Sequence, residues 1–531
     1  MYGADEIGVR GSICESVIIV GALPEYREYC KITEEVAESQ HGEEEDVWQR
    51  KLANSYQDLA YLLPYVGRRG EALKLHEQVK SIREKLLAKQ PDNLELQDEL
   101  GTDENNLGID FWYTGRICDA GREYRAALDV RQHLVAKAPS ASRNRKLANS
   151  LLNVADVLRS QGRLNEARPF YQEALQQRQN LHLTFPVDDD IKSELSDSYA
   201  ALGHLAWTQQ HLPEAQEYYE KARKLREQLV QQDKSNAEYS MSLSRMDVSL
   251  GDIDGELGLW SQAEAWYQRA IEIRQESLAS MPGQRLWQDE LCGAQIALGD
   301  VTRVRGGLPA ALKIYESTCA SRRGLVADDP EAAWWRRDLA VSLERMSIVY
   351  RMQGNIDKAL ASGEEATKLL EDVLRQDPEN GSWRCEVAVS HTIIAEALFL
   401  AARRPEALSE YSAAIGEYEP ILSIDQTTTG WKSDLATALH NSGEVLLSDG
   451  RISEALKQFS AAAKIRQELA GLDPENVLWR SDAAESEDDI ARALARLSQL
   501  GQVVTHKSLQ MRAASQKVCT KVILRAVDLS A

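Results

Sequence analysis

Residues 431–479 read WKSDLATALHNSGEVLLSDGRISEALKQFSAAAKIRQELAGLDPENVLW. From Asp434 to Leu447 the apolar residues fall three and four apart, the spacing that gathers them on one face of an α-helix. Gly450 ends that run, as a glycine just past a helix terminus does. The spacing resumes from Ile452 to Leu472 through Ala455, Leu456, Phe459, Ala462, Ile465 and Leu469. Asp473-Pro474-Glu475-Asn476 then breaks the chain, because proline disfavours the helical region for the residue before it. The stretch predicts a helix, a short turn, a longer helix and an Asp-Pro turn.

The same frame runs backwards through the chain. The turn position reads Gly67, Gly115, Gly162, Gln210, Gly258, Gly306, Gly354, Ala402 and Gly450. Every interval is 48 residues except one of 47. Five residues later stands an alanine: Ala72, Ala120, Ala167, Ala215, Ala263, Ala311, Ala359, Ala407 and Ala455. Twelve before that alanine is a small residue, as at Ala155, Gly203, Gly251 and Gly299. Four after it is an aromatic, as at Tyr171, Tyr219, Tyr267 and Tyr315, and eleven after it an arginine, as at Arg83, Arg131, Arg226 and Arg322. Trp287, Trp335, Trp383, Trp431 and Trp479 form a second ladder in step with the first. A fixed period near 50 means one supersecondary unit copied and stacked into an elongated solenoid. The expected fold is all-α, built of antiparallel helix pairs whose small residues let the two helices approach closely.

Small residue, turn glycine, alanine, aromatic, a second alanine seven after the first (Ala174, Ala222, Ala270) and Asp-Pro together resemble the tetratricopeptide repeat, over roughly residues 46–500. The family's usual unit is 34 residues; these are 14 longer, mainly in the second helix and the inter-repeat segment. The resemblance implies a right-handed superhelix with a concave groove. It also implies a non-enzymatic scaffold that binds a partner protein or peptide there. The long unit with its Asp-Pro-x-Asn-x-x-Trp junction (Asp377, Pro378, Asn380, Trp383) is similar to repeats of bacterial signalling proteins. By that analogy the alternative is a regulatory or sensor arm of a caspase-like, kinase or NTPase effector system.

The frame divides the chain into residues 1–45, an N-terminal cap or worn partial repeat, and 46–481, nine repeats of about 48 residues. Residues 482–520 are expected to be a partial repeat with a closing helix over roughly 503–518, since a terminal repeat must hide its outer face. Residues 521–531 form a tail.

Composition narrows the partner. With 62 basic against 83 acidic residues the formal charge is −21. Such a surface repels nucleic acid and anionic lipid, which bind clustered Lys and Arg. No apolar run reaches the length that spans a bilayer. The seven cysteines are scattered with no CxxC pair, unlike a disulfide framework. A cytoplasmic protein is expected. No HExxH, Walker-type GxxxxGK[ST] or post-strand GxGxxG is present. Catalytic, metal and cofactor sites are therefore expected to be none. The arginine ladder is read as packing against the next repeat or pairing with a neighbouring carboxylate, and the tryptophan ladder as junction packing.

In the resembled family, the position after the small residue faces the groove. Here it holds Asp156, His204, Asp252, Asp300, Glu396 and Glu444 among its nine members. One helical turn on stand Trp112, Arg159, Trp207, Arg303 and Arg351. These eleven are the candidate partner-binding residues. Their acidic character points to a basic or amphipathic segment of a partner. The family's chaperone-tail binders hold a terminal carboxylate with lysines, asparagines and arginine. The nearby slots here hold Gln57, Asn105, Asn153, Arg245 and Arg345 without the lysines.

Overall fold

The structure, a computed structural model, describes residues 14–66, 68–330 and 332–499. They form α1 (Cys14–Ser39), α2 (Glu43–Leu62), a 3-10 turn (Leu63–Val66), α3 (Arg69–Lys89), α4 (Leu94–Tyr113), α5 (Ile117–Lys137), α6 (Ala141–Ser160), α7 (Leu164–Thr184), α8 (Asp189–Thr208) and α9 (Leu212–Gln232). There follow α10 (Ala237–Glu256), α11 (Trp260–Ser280), α12 (Arg285–Val304), α13 (Leu308–Asp328), α14 (Ala333–Met352), α15 (Ile356–Gln376), α16 (Gly381–Leu400), α17 (Arg404–Ile424), α18 (Thr429–Ser448) and α19 (Ile452–Leu472). Residues 477–499 form α20. No strand occurs among the described residues. The expected closing helix over 503–518, the tail at 521–531 and the first thirteen residues lie outside them.

Each helix packs on its sequence neighbours, and even-numbered helices also meet across units: α6 with α8, α10 with α12, α14 with α16. Helices closer to their counterparts lie on the inside of the curve, so the even helices make the concave wall of a superhelical solenoid and the odd ones its outer wall.

The repeated residues explain the pair. The slot alanines from Ala72 to Ala455 are fully buried where the two helices cross. Opposite, the small residue makes room for the aromatic ring: a Cβ at Gly251 would sit 2.7 Å from Tyr267 Cε1. Asn93, Ser140, Asp188, Asn236 and Asn380 cap first helices through their side chains.

The slot arginine joins units. Buried Arg322 donates to Asp289 Oδ1 (2.8 Å) on α12, then to Asp338 O (2.7 Å) and Ser342 Oγ (3.0 Å) on α14. Arg178 reaches Asn149 on α6 (2.6 Å), and Glu194 O (2.5 Å) and Ser198 Oγ (3.0 Å) on α8. Arg131 and Arg466 repeat the reach to the carbonyl and serine of the next first helix. One guanidinium with five donors in a planar fork thus ties successive first helices, as the packing reading expects.

The period does not reveal how tightly the solenoid coils, and the coils close on themselves. Gly381 N–H donates to Thr114 O at 3.0 Å. Thr429 Oγ1 donates to Ser160 O at 3.0 Å, and Asn476 Nδ2 to Thr208 O at 3.1 Å, across 269 and 268 residues. Cys118 N–H, in the first turn of α5, donates to Asp425 Oδ2 at 2.8 Å, where a carboxylate favours a helix N-terminus. The turn rim of the pairs α4/α5, α6/α7 and α8/α9 therefore lies on the junction rim formed after α15, α17 and α19. This seam buries Asp425, Asp473, Asn380 and Asn476. Trp287, Trp335, Trp431 and Trp479 are buried at their junctions, and Trp431 also packs on Gly115 across the seam.

Candidate functional site

The inner wall is built from the exposed edges of the even helices, where the residue after each small slot must point away from its own second helix or be drawn back to it. In four units it is drawn back. Tyr267 OH donates to Asp252 Oδ1 (2.6 Å) and Tyr315 OH to Asp300 Oδ1 (2.8 Å). Tyr171 OH donates to Asp156, and Tyr219 OH pairs with His204 Nδ1 at 2.7 Å. Each partner lies fifteen residues on, at the aromatic slot. The core aromatic therefore also orients a polar group of the wall. Sequence reading saw both slots without linking them; the constant spacing of fifteen was the available signal.

The carboxylates are also joined to arginines, some on their own helix and some across units. Arg345 Nε lies 3.1 Å from Asp300 Oδ2, and Arg303 3.4 Å from Oδ1. Arg351 meets Glu396 at 2.9 Å, and Asn441 donates to Glu396 at 3.4 Å. Arg159 lies 3.5 Å from Asp156, and Arg492 pairs with Glu444. The same lattice takes in Arg245 with Glu290 (2.8 Å) and Asn153 with Asn105 (2.8 Å). All eleven candidate residues are half-buried. Trp207 stacks with His204, ring centroids 6.1 Å apart, and Trp112 packs against the core of the α4–α7 units. The wall is thus a mixed-charge lattice rather than a bare acidic strip.

Burial shapes its protonation. It pushes the Asp252 carboxyl up to about 7, with Glu256 and Asp300 adding to the rise against the Tyr267 hydrogen bond. Glu344, buried on α14 with Oε1 unpartnered, is pushed up to about 8, first by burial and then by Glu386. No slot pattern marked Glu344; its counterparts in other units range from Ile296 to Asn105.

His440, Glu444 and Asp489 bring three potential metal ligands within 4.8 Å of one another. The Arg492 guanidinium reaches both Glu444 and Asp489 and supplies the positive charge there. Cys292 is buried and pushed up to about 12 by that burial, the opposite of an activated thiolate. No helix among the described residues is long and apolar enough to cross a membrane.

A profile of the tetratricopeptide repeat matches residues 52–92, 147–182 and 195–233. These three stretches are tetratricopeptide repeats, and the unmatched units repeat the same helix pair. Such repeats form a scaffold for protein–protein interaction. No curated protein sequence matches the chain. Among solved structures it is similar to BtubC (BKLC) from P. vanneervenii, at 20% identity over 47% of this chain and 89% of that one, TM-score 0.37. It is also similar to the apo form of RapI, at 11% identity over 74% and 99%, TM-score 0.41. A third is a Rap protein complexed with competence and sporulation factor, at 11% identity over 83% and 99%, TM-score 0.36.

Proposed function

We propose that the chain is a non-enzymatic scaffold that holds a slender segment of a partner protein, basic or amphipathic, along its concave wall. The observation that carries this reading is the lattice of half-buried carboxylates and guanidiniums on the even helices. Tyrosines fix Asp156, Asp252 and Asp300, and Asp156, Asp300 and Glu396 each lie within reach of an exchangeable arginine. A partner Lys or Arg replaces a wall arginine at Asp156, Asp300 or Glu396, while an apolar face rests against Trp112 and Trp207. The seam supports a slender occupant, because one coil rests on the next there.

Random dodecapeptides displayed and selected on the full chain test this. Selected peptides rich in Lys and Arg should bind about tenfold more weakly to the double variant Asp252→Asn, Asp300→Asn, and more weakly as salt rises. Selection of acidic peptides, or unchanged affinity in the double variant, defeats the reading.

A further inference from the structure

The rim that carries the seam continues beyond it, and its side chains change character there. Two residues before the turn position, two covered units hold Ser160 and Thr208, whose carbonyls accept across the seam. Three successive uncovered units hold Val304, Met352 and Leu400 in that slot, 52%, 50% and 61% exposed. The opposite rim shows the same inversion. The residue just past the second helix is Asp377, Asp425 and Asp473 in covered junctions, all buried. In two uncovered junctions it is Phe185 and Met281, both exposed, and Leu183 and Val187 beside Phe185 are 80% and 83% exposed. A rim that faces only water would carry polar groups outside the seam. These units do the reverse, and contiguous exposed apolar surface marks an interaction site.

We propose that the two rims dock between copies of this chain, the turn rim of one copy on the junction rim of the next, as the seam joins them within one copy. The seam itself argues for a second copy as the occupant. It shows that the two rims are complementary in backbone geometry, with N–H and C=O groups meeting at 3.0 Å between Gly381 and Thr114. A second copy brings an apolar junction, Leu183 to Val187, to apolar turns at Val304, Met352 and Leu400. The polar anchor is available too: Asp233 and Asp329 stand just past α9 and α13, in the slot from which Asp425 takes the Cys118 N–H. Because the two rims differ, the contact is head-to-tail, and a head-to-tail contact propagates unless it closes into a ring. The concave wall is left untouched, so this association is separate from partner binding.

Two rim-blocked chains test the proposal. Leu183→Asp with Val187→Asp blocks the junction rim, and Met352→Asp with Leu400→Asp blocks the turn rim. All four side chains are exposed, and unchanged circular dichroism melts confirm that the fold survives. Light scattering behind size exclusion, from about 1 to about 100 µM, reads the mass. The wild-type mass should climb with concentration past that of two chains. Each blocked chain should stay at one chain, a loss of affinity of about tenfold or more. An equimolar mixture of the two should reach two chains and stop, since one intact pair of rims remains. A wild type that stays at one chain throughout overturns the proposal and leaves the rims to a different protein. A wild type that stops at two chains, or a mixture that behaves like either blocked chain alone, overturns it equally.

Discussion

Trp431 stands on Gly115: a Cβ at position 115 would lie 2.6 Å from the indole Cη2. Gly115 also has φ of 79°, the left-handed region that ends α4. One glycine thus serves the turn of its own unit and the docking of a unit far along the chain. Gly115→Ala should lose about 1–2 kcal/mol to the backbone and about 1–3 kcal/mol more to the displaced ring. Gly306 and Gly450 share the backbone conformation, but a Cβ there meets open space, so their alanine variants should lose only the first part. Chemical denaturation of the three variants compares them directly; equal losses at 115 and 306 contradict the packing on Trp431.

Two units break the glycine rule and hold the same turn with a side chain: Gln210 at φ of 60° and Ala402 at 58°. Gln210→Gly and Ala402→Gly should each stabilise by about 0.5–1 kcal/mol, since the left-handed strain outweighs the extra freedom of glycine when unfolded. A lower melting midpoint in both variants would show that the strain is absent.

Arg322 is a buried cation shared by α12 and α14. Arg322→Met removes the guanidinium beside buried Asp289 and should cost about 3–5 kcal/mol. Because repeats couple mainly to neighbours, the loss should appear as early unfolding around α12–α14, with the remaining helices holding. Hydrogen exchange that stays uniform along the chain argues against the arginine as the link between units.

Asp252 gives a pH dependence with a definite sign. Its folded value of about 7 lies above the unfolded value of about 4. The folded state therefore holds the proton more tightly, and stability falls as pH rises from about 4 to about 7. Asp252→Asn keeps an acceptor for Tyr267 and removes the charge. Its melting midpoint should match wild type near pH 4 and exceed it at pH 8, by on the order of a few kcal/mol at most. A difference independent of pH disposes of the burial argument.

The helix pairs were legible because their determinants are local and periodic. The alanine at the crossing, the aromatic over the small residue and the glycine at the turn each act within one unit. The arginine was legible as an inter-unit link because it recurs in register. The wall was legible only as a set of positions. Asp300 reads as one more acid in a strip, yet its charge is met by Arg303 and Arg345, the latter 45 residues away. The seam left no mark a single unit can show. It pairs residues such as Cys118 and Asp425 that lie 307 positions apart, and their meeting depends on the small rotation between units summed over the whole turn.

That summed rotation is open to one direct measurement. Cys118 Sγ lies 3.5 Å from Thr427 Oγ1 across the seam. Thr427→Cys places a second thiol within reach of a disulfide. Mild oxidation of this variant should join Cys118 to the introduced thiol in most chains, read by peptide mass mapping. Helicity should be unchanged, and no bond should form when Cys118 is also replaced by serine. If both thiols stay free and alkylate as fast as in the unfolded chain, the coils do not rest on one another and the closed superhelix is wrong.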